Sequence, residues 1–550
     1  MRQIPEKESL RVEFKSDKKK LKDSVLVEEV TGMTNTEGGD LFLGVEDDGT
    51  ITGVHRDHAD ETGVSAMIGN RTIPSVPVRA QLITENDTEV LKISIPVSRS
   101  VISTSDGKIL RRRLKVDGSP EVIPMRPFEI TTRLSDLGSM DFSATVLDEA
   151  GPEDLDAVER QRLRRLIQAR NGDQYLLELE DEELDQALGL MRNGHPTLTG
   201  LLLIGKEESL RKYIPTASSA FQVLHGMDVE VNEDYHQPLL QVFEIMLQYF
   251  NARNPEKELQ RGLQRIPIPE FSAEAFREGL VNAFAHRDYS KLGRIRVAVE
   301  DEGITITSPG SFVEDITFRN LLTAEPRSRN PLLADALKRI GLAEKTGRGV
   351  DRIYEGSILY GRPLPDYSES NGSYVKLFIP RHEADREFMT MILDYQEKEQ
   401  RKLPIYSLLI LSALLEQHRM TLKDLADTTG LSMKRVQVHI EKLVEAGMVE
   451  ARGTGTARTY ILSSKVYSSR DNLYGYVRQT AQDAASEKDL VLKLAGEQKG
   501  TVSRQEIAEL LQCTGQQAYR LLKEMEQAGI LEKNGAGRST RYKVVNEIRS

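Results

Sequence analysis

The sequence predicts a multidomain protein of mixed α/β and α+β units that ends in two winged-helix domains. Three observations predict it. The first is length: at about 100–200 residues per domain, a 550-residue chain should divide into about three to five units. The second is that segments of alternating apolar and polar residues are interleaved with helical ones over most of the chain. The third is a repeat. MTLKDLADTTGLSMKRVQVHIEKLVEAGMVEARGTGTARTYIL and VSRQEIAELLQCTGQQAYRLLKEMEQAGILEKNGAGRSTRYKV share one pattern. Each has a short helix, a turn, a second amphipathic helix, an Ala-Gly stop and a hairpin with a Gly/Arg tip.

Composition narrows the class. With 39% hydrophobic and 29% charged residues, the chain has the make-up of a soluble globular protein. It holds no run of about 18 apolar residues, so no membrane partner is expected. The start, MRQIPEKESLRVEFKSDKKK, lacks an apolar signal core, and Cys513 is the single cysteine. Together these predict a cytoplasmic protein without disulfides or a cysteine-built zinc site. The net charge of −11 argues against a protein that merely coats nucleic acid, so basic faces must be sought domain by domain.

The elements follow in order. Leu10–Lys15 alternates as a strand, with Leu10, Val12 and Phe14 on one face and Arg11, Glu13 and Lys15 on the other. A helix is expected over Leu21–Thr34. NTEGGDLFLGVEDDGTITGV reads as turn, strand, Asp-Gly turn and strand, and Val78–Thr84 with Val90–Pro96 as a second hairpin. The expected divisions are a front domain 1–135, a helical linker 136–195 and a middle domain 196–385 opened by the apolar strand LTGLLLIG. A bridging helix with the first winged helix (386–465) and the second winged helix (466–550) complete the chain.

ESLRVEFK followed by NTEGGDLFLGVEDDG, with Arg111-Arg112-Arg113 and Gly118-Ser119 further on, resembles the AlbA_2 or Schlafen family over residues 6–130. The resemblance implies a Schlafen-type α+β domain and nucleic-acid contact, with Arg111, Arg112 and Arg113 as contacts. It also implies three acids that hold Mg²⁺ or Mn²⁺ for cleavage, falling here on Glu8, Glu13 and Glu46. Hard cations prefer carboxylate oxygens, and Lys15 shares a strand face with Glu13, where it could meet phosphate. Asp47 or Asp48 could stand in for Glu46. Without metal, these residues would form an ordinary exposed charge pattern and a solvated turn.

FREGLVNAFAHRDYSKLGRIRVAVEDEGITITSPG, then SRNPLLADALKRIGLAEKTGRGVDRI, resembles the RecG-related C-terminal ATPase domain of the GHKL class over 265–380. The implied fold is an α/β sandwich that binds ATP. Glu278 and Asn282, four apart on a helix, share a face. The resemblance implies that Glu278 activates water and that Asn282 holds Mg²⁺, and His286 and Arg287 could meet phosphate. Lys345 through Gly349 would form a glycine-rich loop before a helix, with Gly347, Arg348 and Gly349 offering anion contacts. Thr307-Ser308-Pro309-Gly310 stands where the class usually has DxGxG. By analogy with this class, a homo-oligomer, dimer or larger, is expected.

In the first winged unit, Ser432 is expected to cap a recognition helix carrying Lys434, Arg435, Gln437 and His439, with Arg458 on the wing. In the second, Gln517 and Arg520 lie on the helix and Arg538 on the wing. Residues 421–460 hold six basic and five acidic residues, and 503–543 seven and five, so both units are slightly basic within an acidic chain. Two functions fit these parts. The primary one is a metal-dependent nuclease on RNA or single-stranded DNA, regulated by ATP and possible in phage defence. The other is an ATP-responsive transcriptional regulator that binds DNA without cutting. A P-loop motor is not expected without GxxxxGK[ST], and a protease or deaminase reading lacks support, with no HExxH, no GxSxG and no cysteine pair.

Overall fold

The computed structural model describes residues 4–261, 264–313, 316–344, 347–453, 458–463, 487–498, 500–511, 513–535 and 540–545. Near its start, strand Val12–Lys15 runs parallel to Gly39–Leu43, with Val12 opposite Asp40 and Lys15 opposite Leu43. Helix Asp23–Thr34 makes the crossover between them. The hairpin Arg79–Glu85 and Thr88–Ile95 completes a four-stranded sheet, with Thr88–Ile95 antiparallel to Gly39–Leu43. Alternation along the strands gives the sheet two apolar faces. Leu41, Leu43, Leu91 and Ile93 pack with Leu26, Val30 and Met33 of the helix. Phe14, Phe42 and Val90 form a smaller core with Ile4 and Val45, where the two phenylalanine rings meet edge-on at 6.1 Å. Gly39 (φ +126°) is required between the parallel strands, because a Cβ there would lie 2.1 Å from the Arg11 carbonyl. The strand expected after the Asp-Gly turn reduces to a single bridge, Val45 to Ile51. The partner of Gly39–Leu43 is instead the distant Thr88–Ile95 strand.

The segment 198–205, read from sequence as a strand, is a helix, Leu198–Ile204, with all seven residues buried. A wholly apolar run has neither a 2.0 nor a 3.6 period, so the pattern alone cannot separate the two structures. The deciding signal is Thr197, whose hydroxyl accepts the Gly200 amide at 3.1 Å as an N-cap. Leu163, Leu166 and Ile167 of helix Ala157–Ala169 join the same apolar core as the middle sheet, so the stretch expected to link two units packs into one of them.

The middle unit is a five-stranded mixed sheet in the order Asp228–Tyr235, Ser219–His225, Ile295–Val299, Gly303–Pro309, Tyr374–Pro380. Helix Ala273–His286 lies on Gly303–Pro309 between helices Leu239–Ala252 and Gly349–Ile358. Phe250 and Phe276 stack there at 4.1 Å, interplanar angle 6°. Gly279 lets the helix approach the sheet, since a Cβ would come within 2.8 Å of Leu377 Cδ2.

After helix Arg386–Glu399 comes the first winged unit: helices Ile405–Gln417, Leu422–Thr429 and Met433–Glu445, with strands Arg419–Thr421, Thr459–Leu462 and Val449–Arg452 side by side. The second repeats this layout with helices Glu487–Glu497, Arg504–Leu511 and Gly515–Gln527 and strands Thr501–Ser503, Arg541–Val544 and Leu531–Asn534. Capping boxes start helices Leu422–Thr429 (Thr421 with Asp424) and Gly515–Gln527 (Thr514 with Gln517). Among the described residues, no helix is long and apolar enough to cross a membrane.

Candidate functional site

Ser272 caps helix Ala273–His286 by accepting the Ala275 amide at 3.2 Å. From that start, Glu278, Asn282 and His286 fall four apart and line one cavity of about 440 Å³, within the range of about 300–1,000 Å³ typical of ligand pockets. The opposite wall is the start of helix Gly349–Ile358, together with Gly347 and Arg348. A Cβ on Gly349 would stand 2.6 Å from Glu278 Oε2 and 3.8 Å from Asn282 Nδ2, so only the glycine backbone fits against the acid–amide pair. The side chain of the N-cap residue Arg348 makes no capping bond to this ten-residue helix, and the positive end of its dipole and its first-turn amides face the cavity side where an anion would be favoured. Ile306, Leu321, Leu322, Val350 and Leu377 give the cavity an apolar stretch of wall, and Glu325, Lys338, Glu344 and Asp351 add charged side chains to the rest. A helix start that can accept an anion, beside an apolar stretch, is an arrangement that suits a nucleotide.

Electrostatics support this division. Burial raises the carboxyl pKa of Glu278, whose side chain is 1% exposed, against the lowering effect of Arg277 at 3.4 Å. Burial pushes His286 down to about 4, and the charges of Arg329 and Lys338 add to the effect, so the free imidazole is neutral at pH 7. Ser308, in the segment that replaces DxGxG, lines the cavity but spends its hydroxyl on the Ala283 carbonyl at 2.9 Å.

Arg287 does not belong to the site. Its fully buried guanidinium donates to the carbonyls of Asp288 (2.7 Å), Thr216 (2.6 Å) and Gly293 (2.6 Å), clamping the loop that follows the helix. The chain turns out of helix at this residue, with φ −57° and ψ 138°, so the helical face of Glu278 and Asn282 does not continue to it. Lys345 lies outside the described residues. Arg329, also buried, lies next in sequence to the cavity-lining Ser328. It pairs with Asp136 of helix Pro127–Asp136 and donates to the carbonyls of His286 (3.2 Å) and Ser311 (2.8 Å).

The front acids are engaged in other work. Glu13, buried on its strand, pairs with both Lys15 and Arg112. Glu29 joins them at 3.2 Å from Lys15 and 3.7 Å from Arg112. Burial opposes the Lys15 charge, yet Glu29 and Glu13 hold its pKa above the ordinary lysine value. Glu8 accepts the Phe14 amide at 3.0 Å, and burial raises its pKa. Glu46 accepts from Thr52 (2.6 Å) and Ser16 (2.9 Å), which lowers its pKa. Among the described residues, no three His, Cys, Asp or Glu side chains are grouped to hold a metal ion. The donor set does not fit Mg²⁺ or Mn²⁺, because the charge of Glu13 is already met by two cations.

Of the three arginines, Arg112 is buried and donates to the carbonyls of Ser9 (2.9 Å) and Val12 (3.0 Å), so it cannot meet a ligand on the surface. Period-two alternation turns it inward and its neighbours outward. Arg111 pairs with Glu129 at 2.7 Å and Arg113 with Glu121 at 2.7 Å. Sequence reasoning missed Glu29, although it lies one turn before Met33 on the helix packed against the sheet.

On the first recognition helix, Ser432 is the N-cap and Lys434, Arg435 and Gln437 are exposed, as expected. Arg435 sits over the Tyr406 ring at 5.5 Å, and Gln437 donates to Glu441 at 3.1 Å. Arg458 stacks over Tyr460 at 5.4 Å. On the second, Gln517 and Arg520 are exposed, though Gln517 Oε1 accepts the Thr514 amide at 2.9 Å in the capping box. Arg538 lies outside the described residues.

Comparison with known proteins assigns these regions. Residues 8–116 match the family model for Schlafen, AlbA_2. Residues 131–219 match a domain of unknown function, DUF8451. Residues 293–379 match the model described as putative ATP-dependent DNA helicase recG C-terminal, and 404–450 match a winged helix-turn-helix DNA-binding model. No curated protein matches the chain. Among solved structures, the DIP2311 protein from Corynebacterium diphtheriae is similar over 83% of this chain and 92% of its own, with 21% identity and a TM-score of 0.50. That likeness concerns the fold alone. A MarR family transcriptional regulator from Silicibacter pomeroyi DSS covers 26% of this chain and 86% of its own at 17% identity, with a TM-score of 0.12 that supports no structural argument. The chain thus carries, in order, a Schlafen AlbA_2 domain, an ATPase-like domain of the RecG C-terminal kind and a winged helix-turn-helix domain.

Proposed function

We propose that this protein binds a nucleotide in its middle domain and, in response, binds duplex DNA through its winged helices as a regulator. The observation that carries the reading is the wall-to-wall arrangement of Glu278 and Asn282 against the helix start at Gly349, inside a cavity of nucleotide size. ATP would supply the phosphates and a coordinated Mg²⁺. Asn282 and His286 would orient them, and the Gly347–Gly349 backbone would face them with N–H groups. Glu278, its proton affinity raised by burial, would accept a proton more readily than an exposed carboxylate. Winged-helix contact is supported by the exposed Lys434 and Arg435 at a recognition-helix N-terminus.

Of the two functions that fit the sequence, the nuclease depends on Glu8, Glu13 and Glu46 converging, and the Glu13–Arg112–Lys15 pairing speaks against that. The test is calorimetric titration of the full-length protein with ATP, with and without Mg²⁺, beside Asn282→Ala, together with gel shifts on duplex DNA. Saturable binding weakened in the variant supports the proposal. Equal affinity in both proteins, or none in either, removes it. Divalent-dependent cutting of tRNA or single-stranded DNA that Glu13→Gln abolishes would restore the nuclease.

A further inference from the structure

The wall of the nucleotide cavity formed by Leu321, Leu322 and residues 325–328 has a second side. Its backbone rests on the first winged domain. The Tyr406 hydroxyl donates to the Leu322 carbonyl at 3.3 Å. The Arg319 carbonyl lies 3.2 Å from where a Cβ on Gly430 would stand, so the turn before the recognition helix abuts the same loop. Tyr406 is near the start of helix Ile405–Gln417, and that helix packs against Gly349–Ile358, the helix whose start is the opposite wall of the cavity. Two walls of one pocket therefore bear on one helix.

From Tyr406 the contacts continue into the recognition helix. The His439 ring meets the Tyr406 ring edge-on, centroids 5.6 Å apart at 82°. Arg435 lies over the same ring at 5.5 Å, and His439 Nδ1 is 3.0 Å from the hydroxyl of Ser407, the next residue. Arg435 and His439 are one helical turn apart, on a helix that also exposes Lys434 and Gln437. A guanidinium held on an aromatic face is not in the position of one that forks a base edge or phosphate, so the docking of Arg435 governs how the helix meets DNA.

We propose that Tyr406 is the link through which nucleotide in the middle-domain cavity sets the DNA affinity of the first winged helix. The loop that lines the cavity moves the tyrosine, and the tyrosine positions Arg435 and His439. The link rests on the nucleotide-binding reading above. Because coupling between two sites is reciprocal, DNA must change nucleotide affinity by the same factor that nucleotide changes DNA affinity.

The test uses the full chain, Mg²⁺ with a non-hydrolysable ATP analogue, and a mixed-sequence duplex. DNA affinity is measured with and without saturating nucleotide, and nucleotide affinity with and without saturating DNA. In the wild type both ratios should be equal and lie between about 5- and 150-fold. Tyr406→Leu, which keeps apolar bulk but loses hydroxyl and ring, should bind nucleotide alone like the wild type while both ratios fall to about one. Tyr406→Phe, which loses only the hydroxyl, should give intermediate ratios and guards against misfolding of the leucine variant. Ratios in either folded variant equal to those of the wild type would overturn the link and leave nucleotide binding standing. Wild-type ratios near one with both ligands bound would also overturn it. Absence of nucleotide binding in the wild type would remove the link and the reading beneath it together.

Discussion

Gly349→Ala adds one methyl group to the cavity wall that faces Glu278 and Asn282. The backbone there is helical, and alanine is a better helix former than glycine, so the substitution carries no conformational penalty of its own. The cost lies in space. The new Cβ would stand 2.6 Å from Glu278 Oε2, well inside van der Waals contact, and Glu278 is buried and braced by Arg277. Either the carboxylate swings into the volume that phosphates would occupy, or the helix start retreats from it. Overpacking of this kind costs about 1–3 kcal/mol. Felt in the bound state, it corresponds to a loss of about 5- to 150-fold in nucleotide affinity at about 1.4 kcal/mol per tenfold. Titration calorimetry measures the loss, and thermal unfolding of the free protein checks that the fold survives. Wild-type affinity in a folded Gly349→Ala protein would refute the placement of phosphates between Glu278 and the helix start.

Three other outcomes are expected. Glu13→Gln should destabilise the protein by about 3 kcal/mol in denaturant titration, because it strands the buried Arg112 with Glu29 alone at 3.7 Å; a metal-ligand role predicts no loss of stability without metal. His286 has its pKa depressed from 6.5 to about 4, so the unfolded chain binds its proton first as pH falls. The associated stability should be whole above pH 6.5 and drain away toward pH 4, at up to about 1.4 kcal/mol per pH unit, and His286→Gln should flatten that limb of the stability curve. Lys434→Ala should weaken duplex binding uniformly across sequences and reduce the slope of log affinity against log salt by about 0.9, as expected for one lost phosphate contact; an unchanged slope would place Lys434 away from the backbone.

What the sequence made legible was whatever rests on local pattern. The tandem winged helices could be read because their caps, turns and apolar spacing repeat, and Ser432 is the N-cap expected of it. Glu278, Asn282 and His286 could be grouped because helical spacing fixes a face. The same reasoning failed where long-range packing decides. Arg287 follows His286 in sequence, but the helix ends there and the side chain clamps carbonyls up to 71 residues away. Three successive arginines look like one basic stripe, yet strand alternation puts Arg112 against Glu13, a partner about a hundred residues earlier. LTGLLLIG held no period to separate strand from helix. Tyr406 could not be singled out, since its partner Leu322 is 84 residues upstream and contributes only a backbone carbonyl.

The ion pair between Arg329 and Asp136 sets where this gene could be cut and rejoined. Helix Pro127–Asp136 follows the front domain in the chain, but its last residue neutralises a cation buried beside the middle-domain cavity. A chimera that exchanged the front domain together with this helix would leave Arg329 with Asp288 at 3.9 Å, an uncompensated buried charge of the kind that costs about 3–5 kcal/mol. A junction at Met125–Arg126 would instead give up the partly exposed Arg111–Glu129 pair and the Arg133 bond to the Ser98 carbonyl. Losing a partly exposed pair is the lesser cost. In recombination, the helix travels with the pocket it neutralises rather than with the domain it follows.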